Sequence, residues 1–247
     1  MIQILNKRAI THDNHCEDDY WIHSENGVIV GAVLDGCSTG INSHFASTLV
    51  KYSLENSKDY IRYTTCPAES AFDFLTQQVK KSMVAVAGYL GLTDMNLLST
   101  IVFFHYDTYT KELVVKFFGD GVVYVNGERN EHSEDNAPQY LAYHMDDNYD
   151  DFEAYLLSRK TLNFNNVVEF KICSDGIDSL VNIKNMKVPS VAGKEYLLYG
   201  DDFKTQKTGL AKRFKLLTSH NNELPEGHSW WVIKDDLTVI SYTNEIN

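Results

Sequence analysis

Short apolar runs bounded by turn dipeptides, interrupted by two helical stripes, set the rhythm of this chain. Residues 28–34 are short and almost wholly apolar, which predicts a buried strand ending at Asp35. Residues 20–23 predict its hairpin partner, because Asn26-Gly27 between them is a strong turn signal. That hairpin would put Asp18 and Asp35 at one end of a sheet. Phe45, Ala46, Leu49, Val50, Tyr52 and Leu54 recur at helical spacing and predict a helix over 43–57. A second helix is predicted from 67 to about 89, with Pro67 near its first turn and Gly91 at its close.

Strand signals return at 97–106, 113–118 and 122–125, a spacing that predicts an antiparallel meander. Residues 128–153 are polar and acidic and read as a solvated loop. Within it Asp146, Asn148 and Asp150 imitate the start of a calcium loop, but Asp151 stands where Gly is needed and Leu157 where Glu is needed. Residues 167–173 predict a strand reaching Asp175, 176–181 a helix start, 209–217 a helix and 237–242 a last strand. Trp230-Trp231 before that strand is expected in the core or a cleft wall.

A hydrophobic fraction of 43% over 247 residues supports a globular core rather than disorder. With no repeat or linker dividing it, 1–247 is expected to be a single domain. The net charge of −12 disfavours nucleic acid and anionic membranes, which both recruit Lys and Arg. No apolar run approaches the ~20 residues of a membrane span, and no secretory signal pattern opens the chain, so a cytoplasmic location is expected. The spacing of Cys16, Cys37, Cys66 and Cys173 fits neither a zinc knuckle nor a disulfide framework. Three of the four flank acidic motifs, where a small residue suits a buried strand end.

Those motifs carry the chemistry. Asp18, Asp35, Asp175 and Asp235 each stand at the edge of an apolar run. Carboxylates delivered to one place from separated strand ends suit a hard divalent cation, which prefers oxygen ligands. Asp-Gly also recurs at Asp35-Gly36, Asp120-Gly121 and Asp175-Gly176.

The run 33–47 (Val-Leu-Asp-Gly-Cys-Ser-Thr-Gly-Ile-Asn-Ser-His-Phe-Ala-Ser) resembles, without a gap, the Asp-Gly-x-Gly-Gly…Ala-Ser segment of the protein phosphatase 2C family. Further matches follow in family order. Glu17-Asp18 looks like its Glu-Asp pair, Ser99-Thr100 its Thr-Thr strand, and Phe118-Gly119-Asp120-Gly121 its Gly-Asp-Ser turn. Cys173-Ser174-Asp175-Gly176-Ile177 and Asp235-Asp236-Leu237-Thr238 are similar to its Ser-Asp-Gly and Asp-Asn-x-Thr elements. The resemblance covers about residues 11–243.

What it implies is an α+β fold, a four-layer αββα sandwich of two antiparallel sheets flanked by helices. It also implies a cleft holding two Mn2+ or Mg2+ ions, and hydrolysis of phosphoserine or phosphothreonine in a protein substrate. Asp35 would bridge the ions and the Gly36 carbonyl would complete one sphere. Asp175 and Asp235 would bind the other ion, with Glu17 and Asp18 acting directly or through water. Two such cations ~4 Å apart activate water and neutralise phosphoryl charge. Gly36 is expected in the tight turn that brings its carbonyl to an ion.

The departures shape the remaining expectations. Asp13 stands where animal-type members carry an Arg that grips phosphate, so another group must serve. His12 is the candidate catalytic residue, a donor to phosphate or general acid, with Lys7 and Arg8 as alternatives. Cys37 stands where a His often follows Asp-Gly. Ser179 replaces a second Asp, with Asp178 one residue earlier, so a third ion held by Asp120 and Asp175 is doubtful. Two other readings remain: a catalytically inactive phosphatase-like signalling or scaffold module, and a metal-dependent nuclease, which the acidic charge opposes.

Overall fold

Backbone pairing turns most of the apolar runs into strands. The structure is a computed structural model that describes residues 1–12, 15–38, 40, 43–60, 62–134, 138–184, 190–200, 209–219 and 230–244. The chain opens with β1 (Ile2–Lys7), then the hairpin of β2 (Asp19–Glu25) and β3 (Val28–Gly36). Asn26 at φ +44° and Gly27 at φ +87° make the predicted turn.

Helix α1 (Ser43–Ser57) follows with its predicted bounds. Ala46, Val50 and Leu54 are fully buried along one face, whereas Tyr52, counted in the apolar stripe, is 62% exposed. Helix α2 (Ala68–Leu90) ends at Gly91, whose φ of +67° lets its N–H reach the Ala87 carbonyl.

Strands β4 (Ser99–Asp107), β5 (Glu112–Phe118) and β6 (Gly121–Val125) occupy the next three runs. They do not form one meander. Strand β5 pairs with β4, but β6 leaves for the other sheet, redirected at Gly119 with φ +91°. A side chain at Gly119 would lie 2.8 Å from Thr100 Cγ2, so the close crossover needs glycine.

The acidic stretch is not a loop throughout. It forms β7 (Glu128–His132) and, after a 3-10 turn, α3 (Tyr149–Ser158), capped where the Asn148 side chain accepts the Asp151 N–H. An edge strand tolerates polar residues on both faces, and α3 buries Phe152, Tyr155 and Leu156 among them.

The chain continues through β8 (Thr161–Phe164) and β9 (Glu169–Cys173). The expected helix start is a single 3-10 turn over Asp175–Ser179, followed by β10 (Leu180–Asn182). Then come α4 (Ser190–Tyr199), α5 (Leu210–Thr218), β11 (Trp231–Ile233) and β12 (Leu237–Thr243).

One antiparallel sheet runs β2-β3-β4-β5-β8, the other β1-β12-β9-β6-β7, with β10-β11 as a separate pair. Ile29, Val33, Val102 and Phe104 of the first sheet meet Val123, Phe170, Ile172 and Ile240 of the second in a shared core. Val30, Ala32 and Leu34 turn the other way, onto α1 and α2. Strand β3 is therefore covered on both faces, which is why its sequence lacks alternation. Helices α4 and α5, with Trp231, cover the second sheet. This α+β arrangement of helix, sheet, sheet and helix is the expected four-layer sandwich.

Candidate metal centre

Strand register gathers the aspartates. Asp19 pairs with Leu34 across the β2-β3 hairpin, so Asp18 sits opposite Asp35, and Asp35 in turn pairs with Thr100. In the other sheet Val239 pairs with Cys173, which brings the end of β9 beside the start of β12. Asp175 and Asp235 thereby face the first sheet's pair. The Ser174 N–H donates to the Thr238 carbonyl and the Thr238 N–H to Ser174 Oγ, both at 3.0 Å, locking that junction.

Asp35, Asp120, Asp175 and Asp235 line a cavity of about 100 Å3. Gly36, Cys37, Thr100 and Tyr140 complete much of its wall, and among the described residues no Lys, Arg or His lines it. A larger hollow of about 570 Å3 between α2 and α3 has Asp73, Asp147 and Glu153 in its wall together with Lys80 and Lys81, and one of about 800 Å3 beside α4 has Glu195 with Arg129 and Lys194, so both mix carboxylates with cations. Gly36 is not in a tight turn. It ends β3 opposite Ser99, and its N–H donates 3.2 Å to the Glu17 carbonyl. Its place in the cavity wall comes from the strand end, not from a left-handed conformation.

Burial and like charge act together here. Asp18 is 4% exposed, and among the described residues neither of its carboxylate oxygens has a well-formed hydrogen bond. Burial first, then the charges of Asp236, Asp175 and Asp235, push its pKa up to about 8, with the nearby Ser174 hydroxyl offsetting part of the rise. Asp35 is raised well above the ordinary range by burial and by Asp18 and Asp175. Asp175 is raised as well, by burial and then by Asp235 and Asp120, despite its hydrogen bond with Asp35. Clustered, desolvated carboxylates of this kind fit a hard cation, which supplies the missing positive charge.

Glu17 stands apart from that cavity. One oxygen each from Glu17 and Asp236 and a ring nitrogen of His12 lie within 4.8 Å of one another. Asp236, which the sequence marks only as part of the Asp-Asn-x-Thr-like element, is the organising residue. It is 1% exposed and accepts the backbone N–H groups of Ala9 and Glu17. His12 Nδ1 lies 3.0 Å from Asp236 Oδ1, directing that edge of the ring at Asp236. Asp13 lies outside the described residues. Lys7 ends β1, Arg8 follows it, and both are exposed.

Asp120 lines the cavity and accepts the Glu134 N–H at 2.7 Å. Asp178 faces elsewhere, paired with Arg129 at 2.7 Å and with Lys194. Ser179, in place of a second aspartate, accepts the N–H groups of Lys234 at 3.1 Å and Asp235 at 3.0 Å. It therefore fixes the backbone that presents Asp235.

No protein-family sequence model matches the chain, and no curated protein matches it by sequence. Solved structures do match its fold. A bacterial serine phosphatase bearing an arginine-to-glutamate mutation superposes with a TM-score of 0.62, at 15% identity over 99% of this chain and 98% of that one. RsbX in complex with magnesium matches at 0.53 and 16% identity, over 97% and 92%. The catalytic domain of the serine/threonine protein phosphatase PstP, in complex with two manganese ions, matches at 0.54 and 15% identity, over 99% and 98%. The fold is thus that of the protein phosphatase 2C-type bacterial serine/threonine phosphatases, as the motifs led us to expect. Among the described residues no helix is long and apolar enough to cross a membrane.

Proposed function

We propose that this chain is a single-domain, metal-dependent protein serine/threonine phosphatase acting on phosphoserine and phosphothreonine in a protein substrate. The observation that carries this reading is the convergence of Asp18, Asp35, Asp175 and Asp235 from four strand ends, with Asp18 buried and its ionised form disfavoured by burial and like charge. Two Mn2+ or Mg2+ ions would be held by Asp35, the Gly36 carbonyl, Asp175 and Asp235, with Asp18 and Glu17 supporting directly or through water. When bound, such ions supply Lewis acidity toward water and the phosphoryl oxygens.

The chain's own residues do the rest. Thr100 and Asp120 wall the cavity with Asp35 and Asp175, and Ser179 and Asp236 hold Asp235 and Glu17 in place through their backbones. The acidic surface favours a protein partner over nucleic acid or an anionic membrane.

Manganese-dependent hydrolysis of a phosphoserine peptide should vanish in Asp35→Asn and Asp175→Asn. Wild-type protein that hydrolyses nothing above a manganese blank would remove the enzyme reading. The rival, an inactive phosphatase-like signalling or scaffold module, draws support from one observation: among the described residues the cavity wall carries no Lys or Arg to grip phosphate.

A further inference from the structure

Cleaving a phosphoserine ester leaves charge on an alkyl oxygen, and a buried site speeds that step by aiming a hydrogen-bond donor at it. Among its described lining residues the carboxylate cavity has no cationic side chain to do so. Its neutral donors are the Cys37 thiol, the Ser38 and Thr100 hydroxyls and the Tyr140 phenol. A thiol donates weakly. Thr100 packs its methyl against Gly119, and Ser38 is solvent-exposed.

Tyr140 differs from all three. It is 8% exposed and lines the cavity together with Cys37 and Asp35. Its backbone is held from several sides. The Gln139 N–H donates to Glu134, which Arg159 pairs at 2.8 Å, and the Tyr155 hydroxyl donates to the Gln139 carbonyl at 2.9 Å. The Tyr143 ring meets the Tyr140 ring edge-on at 5.6 Å. The Tyr140 ring is therefore held at the cavity wall by a fixed segment that no sequence motif marks.

We infer that the Tyr140 hydroxyl donates a hydrogen bond to the leaving oxygen of a phosphoserine or phosphothreonine substrate, taking the place in the wall where the resemblance puts a His and this chain has Cys37. The assignment rests on the phosphatase reading. In the reaction one water is consumed. Its oxygen bonds to phosphorus, the phosphorus–serine oxygen bond breaks, and the electron pair stays on the serine oxygen. That oxygen takes a proton derived from the water, and Tyr140 stabilises its charge until then, itself unchanged.

The test compares wild type and Tyr140→Phe, both with manganese, on a phosphoserine peptide and on p-nitrophenyl phosphate, whose leaving group is a stable anion that needs little help. The variant should lose about tenfold to a hundredfold in kcat on the peptide, and less than about threefold on the aryl ester. Thermal stability and calorimetric manganese affinity should match wild type.

Equal losses on both substrates, no loss on either, or weakened manganese binding would overturn the assignment while wild-type turnover keeps the phosphatase reading. A wild type inactive on both substrates would instead remove that reading and the assignment with it.

Discussion

His12 Nδ1 lies 3.0 Å from Oδ1 of Asp236, and the same carboxylate accepts the N–H groups of Ala9 and Glu17. One buried side chain thus ties the segment before β2 to the start of β12, bridging the two sheets at the end where the carboxylates gather. Asp236→Ala would leave two backbone donors without their acceptor in a buried place. It should lower unfolding free energy by about 2–4 kcal/mol in urea titration and weaken manganese binding through Glu17. Ala9 donates to Oδ1 and Glu17 to Oδ2, so Asp236→Asn keeps one acceptor but turns its amide N–H toward the other donor and should recover only part of that loss. Wild-type stability in either variant would show that the acceptor role is not what matters.

The raised carboxylates predict how metal and pH interact. A group whose pKa is higher in the folded than the unfolded chain favours folding below its unfolded value, near 4, and loses that contribution as pH rises through its folded value. For Asp18 that window closes at about 8, and Asp35 and Asp175 shift in the same direction. Metal-free protein should therefore lose stability from this cluster between about pH 4 and pH 8. Manganese relieves the repulsion, so its effect on Tm should be larger at pH 8 than at pH 5.5. A Tm increment that is flat across that range would contradict the cluster's assignment as the metal centre.

His12 adds a smaller opposing-partner effect. Burial alone would lower its pKa, but the close approach and charge of Asp236, with Glu17 and Asp235, raise it overall. Its pairing favours folding below the ordinary histidine value of about 6.5 and fades as pH rises through the folded value. In His12→Gln the metal-free protein should show a shallower decline in Tm from pH 6 to pH 8 than wild type. An unchanged slope would place His12 outside the pair.

Ser179 gives a test of how Asp235 is presented. Its hydroxyl oxygen accepts the Lys234 and Asp235 N–H groups while it donates to the Gly176 carbonyl at 2.7 Å. Ser179→Ala should cost about 1–2 kcal/mol, the ordinary value of lost side-chain to backbone bonds. Manganese affinity should fall severalfold by calorimetry. Unaltered affinity would show that Asp235 holds its place without the hydroxyl.

Local signals made much of this architecture legible. The bounds of α1, the Asn26-Gly27 hairpin and the Gly91 cap each follow from a few neighbouring residues, and each is in the structure. So is the gathering of Asp18, Asp35, Asp175 and Asp235, because strand ends in one antiparallel stack share an edge. What escaped depends on distant partners. Strand β7 is polar because it is an edge, and the turn at Gly119 looks like any hairpin until Thr100 is seen packed against it. Asp236 was legible as part of a motif, but its task is set by Ala9 and Glu17, over two hundred residues earlier. Tyr140 reaches the cavity through Glu134, Tyr155 and Arg159, none of which forms a motif with it.

Gly176 offers the sharpest steric test of the site. A methyl group there would lie 1.7 Å from the Asp236 carbonyl oxygen and 2.8 Å from its carbonyl carbon, closer than real contacts allow. Both are backbone atoms, so no side chain can swing aside, and relief requires the 3-10 turn of Asp175–Ser179 and the start of β12 to part. Those two segments carry Asp175 and Asp235. Gly176→Ala should therefore cost more than about 3 kcal/mol and abolish high-affinity manganese binding in whatever fraction folds. A Gly91→Ala control, where open space surrounds the added methyl but φ is +67°, should cost only about 1 kcal/mol. If the control leaves manganese affinity intact while Gly176→Ala removes it, the loss comes from separating the two aspartates rather than from general destabilisation. Full manganese affinity in Gly176→Ala would mean that the close approach of turn and strand is not needed to assemble the centre.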